Sequence, residues 1–255
     1  MIRKPIQAVV GTALLGMIAA APATALAQEE ETESYVYGTY YYCDPMKEEA
    51  ADAFVAEKMK PVYDKAVEDG TINAWGWLAH HTGGKWRRVL YTSAGSVDKL
   101  LDGNDATRAK VAEATGNDMT LGKACKMHDD YIWQSENVGS GNEERGEAGF
   151  SVYYTCDQNR ESRADEIVKE SFGPVYDKLV VDGKLTSWGW SGHFVGGHFR
   201  RLATMTGTSH KAILAARDSV IETMYADGEN EAGREFTEIC GDHVDYMWNL
   251  QLETP

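Results

Sequence analysis

The chain is short of basic residues, of cysteine and of recognisable catalytic motifs, and each shortage excludes something. It has 25 lysines and arginines against 40 aspartates and glutamates. A phosphate-binding surface needs a basic stripe, and the adjacent basic clusters here are confined to residues 85–88 and 198–201. Nucleic acid and anionic lipid are therefore not expected partners, and the acidic balance reads as a solubility feature. Only four cysteines are present and no C-x-x-C pair, so no thiolate metal site is expected. The sequence contains no G-x-S-x-G, P-loop, H-E-x-x-H or dinucleotide glycine pattern. Disorder of the whole chain is excluded by 43% hydrophobic residues and seven tryptophans.

Long apolar runs are scarce too. The one at residues 6–20 carries no charge, follows Arg3 and Lys4, and precedes Ala25-Leu26-Ala27. This is the pattern of an export signal over residues 1–27. The run is short for a spanning helix, a retained anchor being the alternative. Cleavage leaves 228 residues with a net charge of −17, because the signal carries Arg3 and Lys4. A periplasmic or secreted protein is expected, without membrane contact once the signal is removed.

What the sequence has in abundance is itself. Tyr40-Tyr41-Tyr42-Cys43-Asp44 recurs 113 residues later as Tyr153-Tyr154-Thr155-Cys156-Asp157. The same offset carries Pro61-Val62-Tyr63-Asp64-Lys65 onto Pro174-Val175-Tyr176-Asp177-Lys178, and Trp75-Gly76-Trp77 onto Trp188-Gly189-Trp190. Over residues 40–97, 26 of 58 ungapped positions are identical. After a two-residue shift, Cys125-x-x-His128-x-Asp130-Tyr131-x-Trp133 matches Cys240-x-x-His243-x-Asp245-Tyr246-x-Trp248. The chain is read as a tandem duplication, 35–136 and 149–251, joined by a polar, glycine-rich linker at 137–148.

Each copy reads as strand, helix, strand, strand, helix, strand. Residues 35–43 are rich in Tyr, Val and Thr and predict the first strand. Ala51, Val55, Met59, Val62 and Ala66 predict one apolar helix face, repeated as Ala164, Val168, Phe172, Val175 and Leu179. Pro61 and Pro174 fall inside that pattern and predict a kink or break. Gly70 and Gly183 stand where a left-handed cap belongs. Strands are expected at 72–82 and 85–93, with Gly83-Gly84 as a hairpin turn taking positive φ. Ser96 and Ser209 are the expected N-caps of the second helix. The last strand, 128–134 and 243–251, could instead continue that helix.

A βαββαβ unit forms an antiparallel sheet with both helices on one face, so the class is α+β: two ferredoxin-like repeats packed sheet to sheet as a pseudo-dimeric α/β barrel. The element order and the duplication resemble the dimeric α/β-barrel superfamily in a fused, exported form, with NIPSNAP-like and related groups nearest. The resemblance spans nearly all of the mature chain and rests on no catalytic motif. It implies a fold that hosts small-ligand binders, cofactor-free oxygenases and haem proteins alike. A monomer is expected, since the two copies already cover each other.

In this topology the end of strand 1 meets the start of strand 4. Of the three possible pairings of four cysteines, Cys43–Cys125 and Cys156–Cys240 are therefore expected, in keeping with an oxidising compartment. The same edge gathers Asp44, His80, Arg87 and His128, and in the second copy Asp157, His193, Arg200 and His243. These eight are the candidate ligand-binding residues, suited to an anionic ligand at the barrel mouth. The bland alternative is that Asp44 and His128 brace the disulfide corner and the arginines pair with acids. Strand 2 places Trp75 and Trp77 on one face and Ala74, Gly76, Leu78 and His80 on the other. If the rings cover the helix side, the small face looks into the barrel and leaves a cavity; otherwise the glycines merely make room for a neighbouring ring. Tyr63 and Tyr176 are expected as core aromatics.

The function expected is non-enzymatic binding of a small molecule in the barrel or at its mouth, with no cofactor. Two alternatives stand beside it. One is an oxygenase-, isomerase- or haem-type enzyme, with His80 or His193 as the axial ligand in the haem case. The other is a structural or interaction module.

Overall fold

The computed structural model describes residues 34–142, 145–228 and 230–254. The expected signal at 1–27 lies outside the described residues. The first strand, β1 (Tyr35–Cys43), leads into helix α1 (Glu48–Phe54). A π-helical turn, Val55–Met59, joins α1 to α2 (Lys60–Glu68). The break predicted at Pro61 thus falls one turn before it, and Pro61 itself sits in the first turn of α2, where its missing N–H costs nothing. The wider turn explains a spacing anomaly. Ala51, Val55, Met59 and Tyr63 are all buried and all four residues apart, a step that an ordinary helix of about 3.6 residues per turn would rotate off the face. Tyr63 therefore points inward, as expected of a core ring, whereas Val62, expected on the same face, is only half-buried. The second copy repeats the device with α5 (Glu161–Ile167), the π turn Val168–Phe172 and α6 (Gly173–Val181). Gly70 and Gly183 take φ of +68° and +69°.

The hairpin strands of the first copy are β2 (Ala74–Gly83) and β3 (Arg88–Ala94). Only Gly83 of the expected Gly83-Gly84 pair has positive φ, at +120°, and a side chain there would meet the Asp245 backbone oxygen. Residues 84–87 form a loop rather than strand, and it carries Trp86 into the barrel. Helix α3 (Val97–Thr115) begins at Ser96, whose hydroxyl accepts from the Lys99 N–H at 3.3 Å. The short α4 (Thr120–Ala124) follows, and the last segment is strand: β4 (Cys125–Gly141). In the second copy the corresponding elements are β5 (Ala148–Thr155), β6 (Ser187–Val195), β7 (Arg201–Gly207), α7 (His210–Tyr225), α8 (Glu231–Cys240) and β8 (Asp242–Glu253). Ser209 caps α7 through the Ala212 N–H at 3.2 Å.

All eight strands form one closed antiparallel barrel in the order β1-β3-β2-β8-β5-β7-β6-β4. Closure is by hydrogen-bonded edges rather than by two stacked sheets: β2 pairs with β8, and β4 with β6. For that, β4 runs on to Gly141, through part of the expected linker, so that Val138–Gly141 faces Trp190–Ser187. Cys43 lies opposite Cys125, and the disulfides are Cys43–Cys125 and Cys156–Cys240. Trp75 and Trp77, both fully buried, pack with Phe54, Val55, Met59 and Tyr63 against the helices. The small face of β2 therefore looks inward, with Leu78 against the interior aromatics. Among the described residues no helix is long and apolar enough to cross a membrane.

Candidate functional site

The repeated basic pairs prove to be the centre of two equivalent ion-pair networks. In the first copy Arg87 contacts His80 Nδ1 at 2.7 Å and donates to Glu48 at 2.6 Å. Arg88, 5% exposed, donates to Asp52 at 2.6 and 2.7 Å and to Glu48 at 3.1 Å. Asp52 also accepts the Trp77 indole N–H at 2.7 Å. In the second copy His193, Arg200, Arg201, Glu161, Asp165 and Trp190 repeat every contact. Glu48 and Asp52 lie one turn apart on α1 and reach over the hairpin together. Both belong to the repeat identities at the 113-residue offset, the sequence signal that marks them.

These contacts settle what the rim arginines do. Their charge is matched by carboxylates within hydrogen-bond range, so they bind helix α1 or α5 to the sheet and offer little to an external anion. Arginine only donates, so each histidine Nδ1 is an acceptor and the ring proton resides on Nε2. Burial, followed by the neighbouring Arg87 or Arg200 charge, lowers the pKa of both histidines. An axial haem ligand must present an unprotonated ring nitrogen. With Nδ1 engaged and Nε2 protonated, His80 and His193 do not fit that role.

The other candidates are dispersed along the edge. Asp44 accepts from the Met46 N–H at 3.1 Å and Asp157 from the Asn159 N–H at 3.0 Å, each capping its own turn. His128 pairs with Asp130 at 3.1 Å, and His243 stands 3.6 Å from Asp245. The eight residues are thus brought together only as the two His–Arg pairs.

The rim networks have a pH signature. Burial pushes the Glu48 and Glu161 carboxyls up, but hydrogen bonds and charge from the two arginines outweigh it and hold both below their ordinary value. A lowered folded-state value means stability that is present above the unfolded carboxyl value of about 4.3 and lost as pH falls through the folded values. Urea midpoints taken between pH 7 and pH 2.5 should fall most steeply below about pH 4.5. The double variant Glu48→Gln/Glu161→Gln should flatten that fall. An unchanged slope would remove these carboxylates from the acid limb.

On this side the barrel mouth is closed. Trp86 stacks on Tyr246 at 5.0 Å, the Tyr246 hydroxyl accepts from the Lys85 N–H at 2.9 Å, and the Trp86 indole donates to Asp129 at 2.8 Å. Phe199 fills the equivalent place, packed in one cluster with Tyr40, Tyr131, Trp133, Tyr153 and Trp248.

The open space lies elsewhere. A cleft of about 330 Å³ sits between the outer sheet face and α3, within the range of small-molecule sites. Tyr41, Tyr63 and Thr92 line it beneath Asn104 and Arg108. The Thr92 hydroxyl donates to Asn104 Oδ1 at 2.6 Å and so leaves the Nδ2 group without this partner. That N–H group is buried and has no partner, although Asn104 is only 5% exposed. Arg108 lies 5.0 Å over the Tyr37 ring. Burial pushes the Tyr63 hydroxyl up to about 12 and raises Tyr41 also, so both remain protonated donors. Tyr63, expected as a core ring, packs on Trp75 at 5.0 Å and still faces this cleft.

The second copy has a cleft of about 270 Å³ lined by the matching Tyr154, Phe172 and Tyr176. Its chemistry differs, because Met205 and Arg217 replace Thr92 and Asn104. Arg217 is engaged, 3.4 Å from Asp245 and 5.5 Å over the Phe150 ring.

No family model and no curated protein matches the chain. Solved structures do. A candidate monooxygenase from Lactobacillus acidophilus NCFM superposes with a TM-score of 0.60 at 8% identity, over 87% of this chain and 95% of that one. An anthrone oxidase-like protein gives 0.52 at 13% identity, over 88% and 94%. A chlorite dismutase from Candidatus Nitrospira defluvii, solved with cyanide, gives 0.51 at 8%, over 86% and 91%. At such identities the likeness shows the fold alone, a dimeric α/β barrel.

Proposed function

We propose that this is an exported small-molecule-binding protein built from two ferredoxin-like copies, with its ligand in the cleft under α3 of the first copy. The unpartnered Asn104 amide carries the reading. A buried N–H without an acceptor costs about 1–3 kcal/mol, and an acceptor on a ligand would remove that cost. Asn104, Arg108 and the protonated tyrosines all donate, and the walls are largely apolar. The ligand is accordingly an apolar, ring-bearing molecule with a carbonyl or carboxylate directed at Asn104 and Arg108. Binding without turnover is favoured over an oxygenase because, among the described residues lining the cleft, the carboxylate is Asp118 at its edge, and the hydrogen bonds it accepts from Thr120 lower its pKa and make it a weak base.

Native mass spectrometry of protein purified from its own host should show a retained small-molecule adduct. The double variant Asn104→Leu/Thr92→Val removes donor and acceptor together, which leaves stability nearly unchanged. It should weaken retention at least about tenfold, near 1.4 kcal/mol. A full adduct signal in this variant would move the site out of the cleft.

A further inference from the structure

The interior of the barrel holds a further space that the two copies do not line equally. On β3 the Tyr91 ring lies over Gly76, where an added side-chain carbon would stand 2.4 Å from it. The Tyr91 hydroxyl donates to Glu253 at 2.6 Å and accepts from Arg145 at 2.9 Å. The equivalent pair in the second copy is Gly189 opposite Thr204. The same added carbon on Gly189 would meet only the Thr204 hydroxyl, at 3.4 Å. One position inward, Leu78 of the first copy is matched by Ser191. Two large residues have become two small ones on one side of the barrel, and a cavity of about 180 Å³ is bordered by Ser191 and Thr204 on that side and by Leu78 and Tyr91 on the other.

Its walls are aromatic: Tyr40, Trp133, Tyr153 and Trp248. Both indole N–H groups are engaged, Trp133 with the Tyr40 hydroxyl at 3.0 Å and Trp248 with Ser151 at 3.2 Å. Among the described residues, the Ser191 and Thr204 hydroxyls have no side-chain partner. The charged group at the cavity is Arg145, 40% exposed, and Glu253 neutralises it at 2.6 Å. An apolar cavity of roughly 150 Å³ is enough to hold benzene.

We propose that the barrel interior is a binding site for a neutral monocyclic aromatic molecule bearing one hydroxyl, held edge-to-face by the interior rings and hydrogen-bonded to Ser191 or Thr204. The site lies on the opposite face of the sheet from the cleft under α3 and stands independently of it. A ring gains contact energy from edge-to-face neighbours, and the two free hydroxyls supply direction. Charged analogues are rejected, since the interior has no unpaired cation to offset desolvation.

Phenol is the probe. Isothermal titration of the full chain at neutral pH should give saturable binding at one site, and benzoate should bind at least about tenfold more weakly. Thr204→Tyr places over Gly189 the ring that the first copy already carries over Gly76, and should weaken phenol binding at least about tenfold while melting no earlier than the parent. Ser191→Leu imports the other first-copy residue and should act the same way, so the test survives if the tyrosine variant does not fold. The cleft variant Asn104→Leu/Thr92→Val should bind phenol as the parent does, which separates this site from the cleft. No saturable binding to the parent, equal binding by benzoate, or unaltered affinity in the folded cavity-filling variants would each overturn the proposal.

Discussion

Arg88→Ala is expected to cost about 3–5 kcal/mol of unfolding free energy, because it strips the cation from a buried pair and leaves Asp52 without a counter-charge, Glu48 keeping only Arg87. Arg88 is 5% exposed and holds both Asp52 and Glu48, whose side chains are 22% and 14% exposed. Asp52 would retain the Trp77 N–H as a donor but no counter-charge. For a domain of this size each kcal/mol moves Tm by roughly 2–4 °C, so a fall of about 6–20 °C should appear in a thermal melt. Arg201→Ala, 7% exposed within the equivalent network, should fall by a similar amount. The equality is part of the prediction, since the two networks consist of the same residue types in the same contacts. A loss under about 1 kcal/mol in either, the range of exposed ion pairs, would show that water reaches the carboxylates.

Reduction of the disulfides should be nearly as damaging. Cys43–Cys125 and Cys156–Cys240 span 82 and 84 residues, and loops of that length restrict the unfolded chain by roughly 4 kcal/mol each on the chain-entropy account. Each also joins the end of one strand to the start of its neighbour, at an edge where the ladder finishes. Replacing either pair by alanines should lower stability by about 2–4 kcal/mol. Removing both would consume much of the 5–15 kcal/mol typical of a domain. Urea unfolding with and without reductant measures this directly. An unmoved midpoint, with thiol titration showing four free cysteines, would mean that the barrel seams alone hold the fold.

Much of this protein was determined by its sequence because the relevant signals are local or are copied. The 113-residue repeat is visible in the sequence itself, and the residues it pairs recur in the two matching ion-pair networks. Ser96, Ser209, Gly70 and Gly183 mark helix ends by chemistry acting within a few residues. The cysteine pairing followed from the order of elements, since the first and last strands of each copy are neighbours. The alternation along β2 separated the rings of Trp75 and Trp77 from the small residues, and the greater bulk belonged on the helix side.

The remainder was decided by contacts between distant segments. Pro61 announces a break, but the π turn at Val55–Met59 is set by the need to keep Ala51, Val55, Met59 and Tyr63 on one packed face. The partners of Arg87 and Arg88 depend on how α1 is rotated over the hairpin, so Glu48 and Asp52 could not be chosen from among 40 acidic residues by spacing alone. The extension of β4 to Gly141 exists only because β6 presents an open edge to it. The free spaces are the least legible of all. A void is a difference in volume between facing side chains, and whether Ser191 and Thr204 leave one becomes defined only when the barrel closes and fixes what lies across from them.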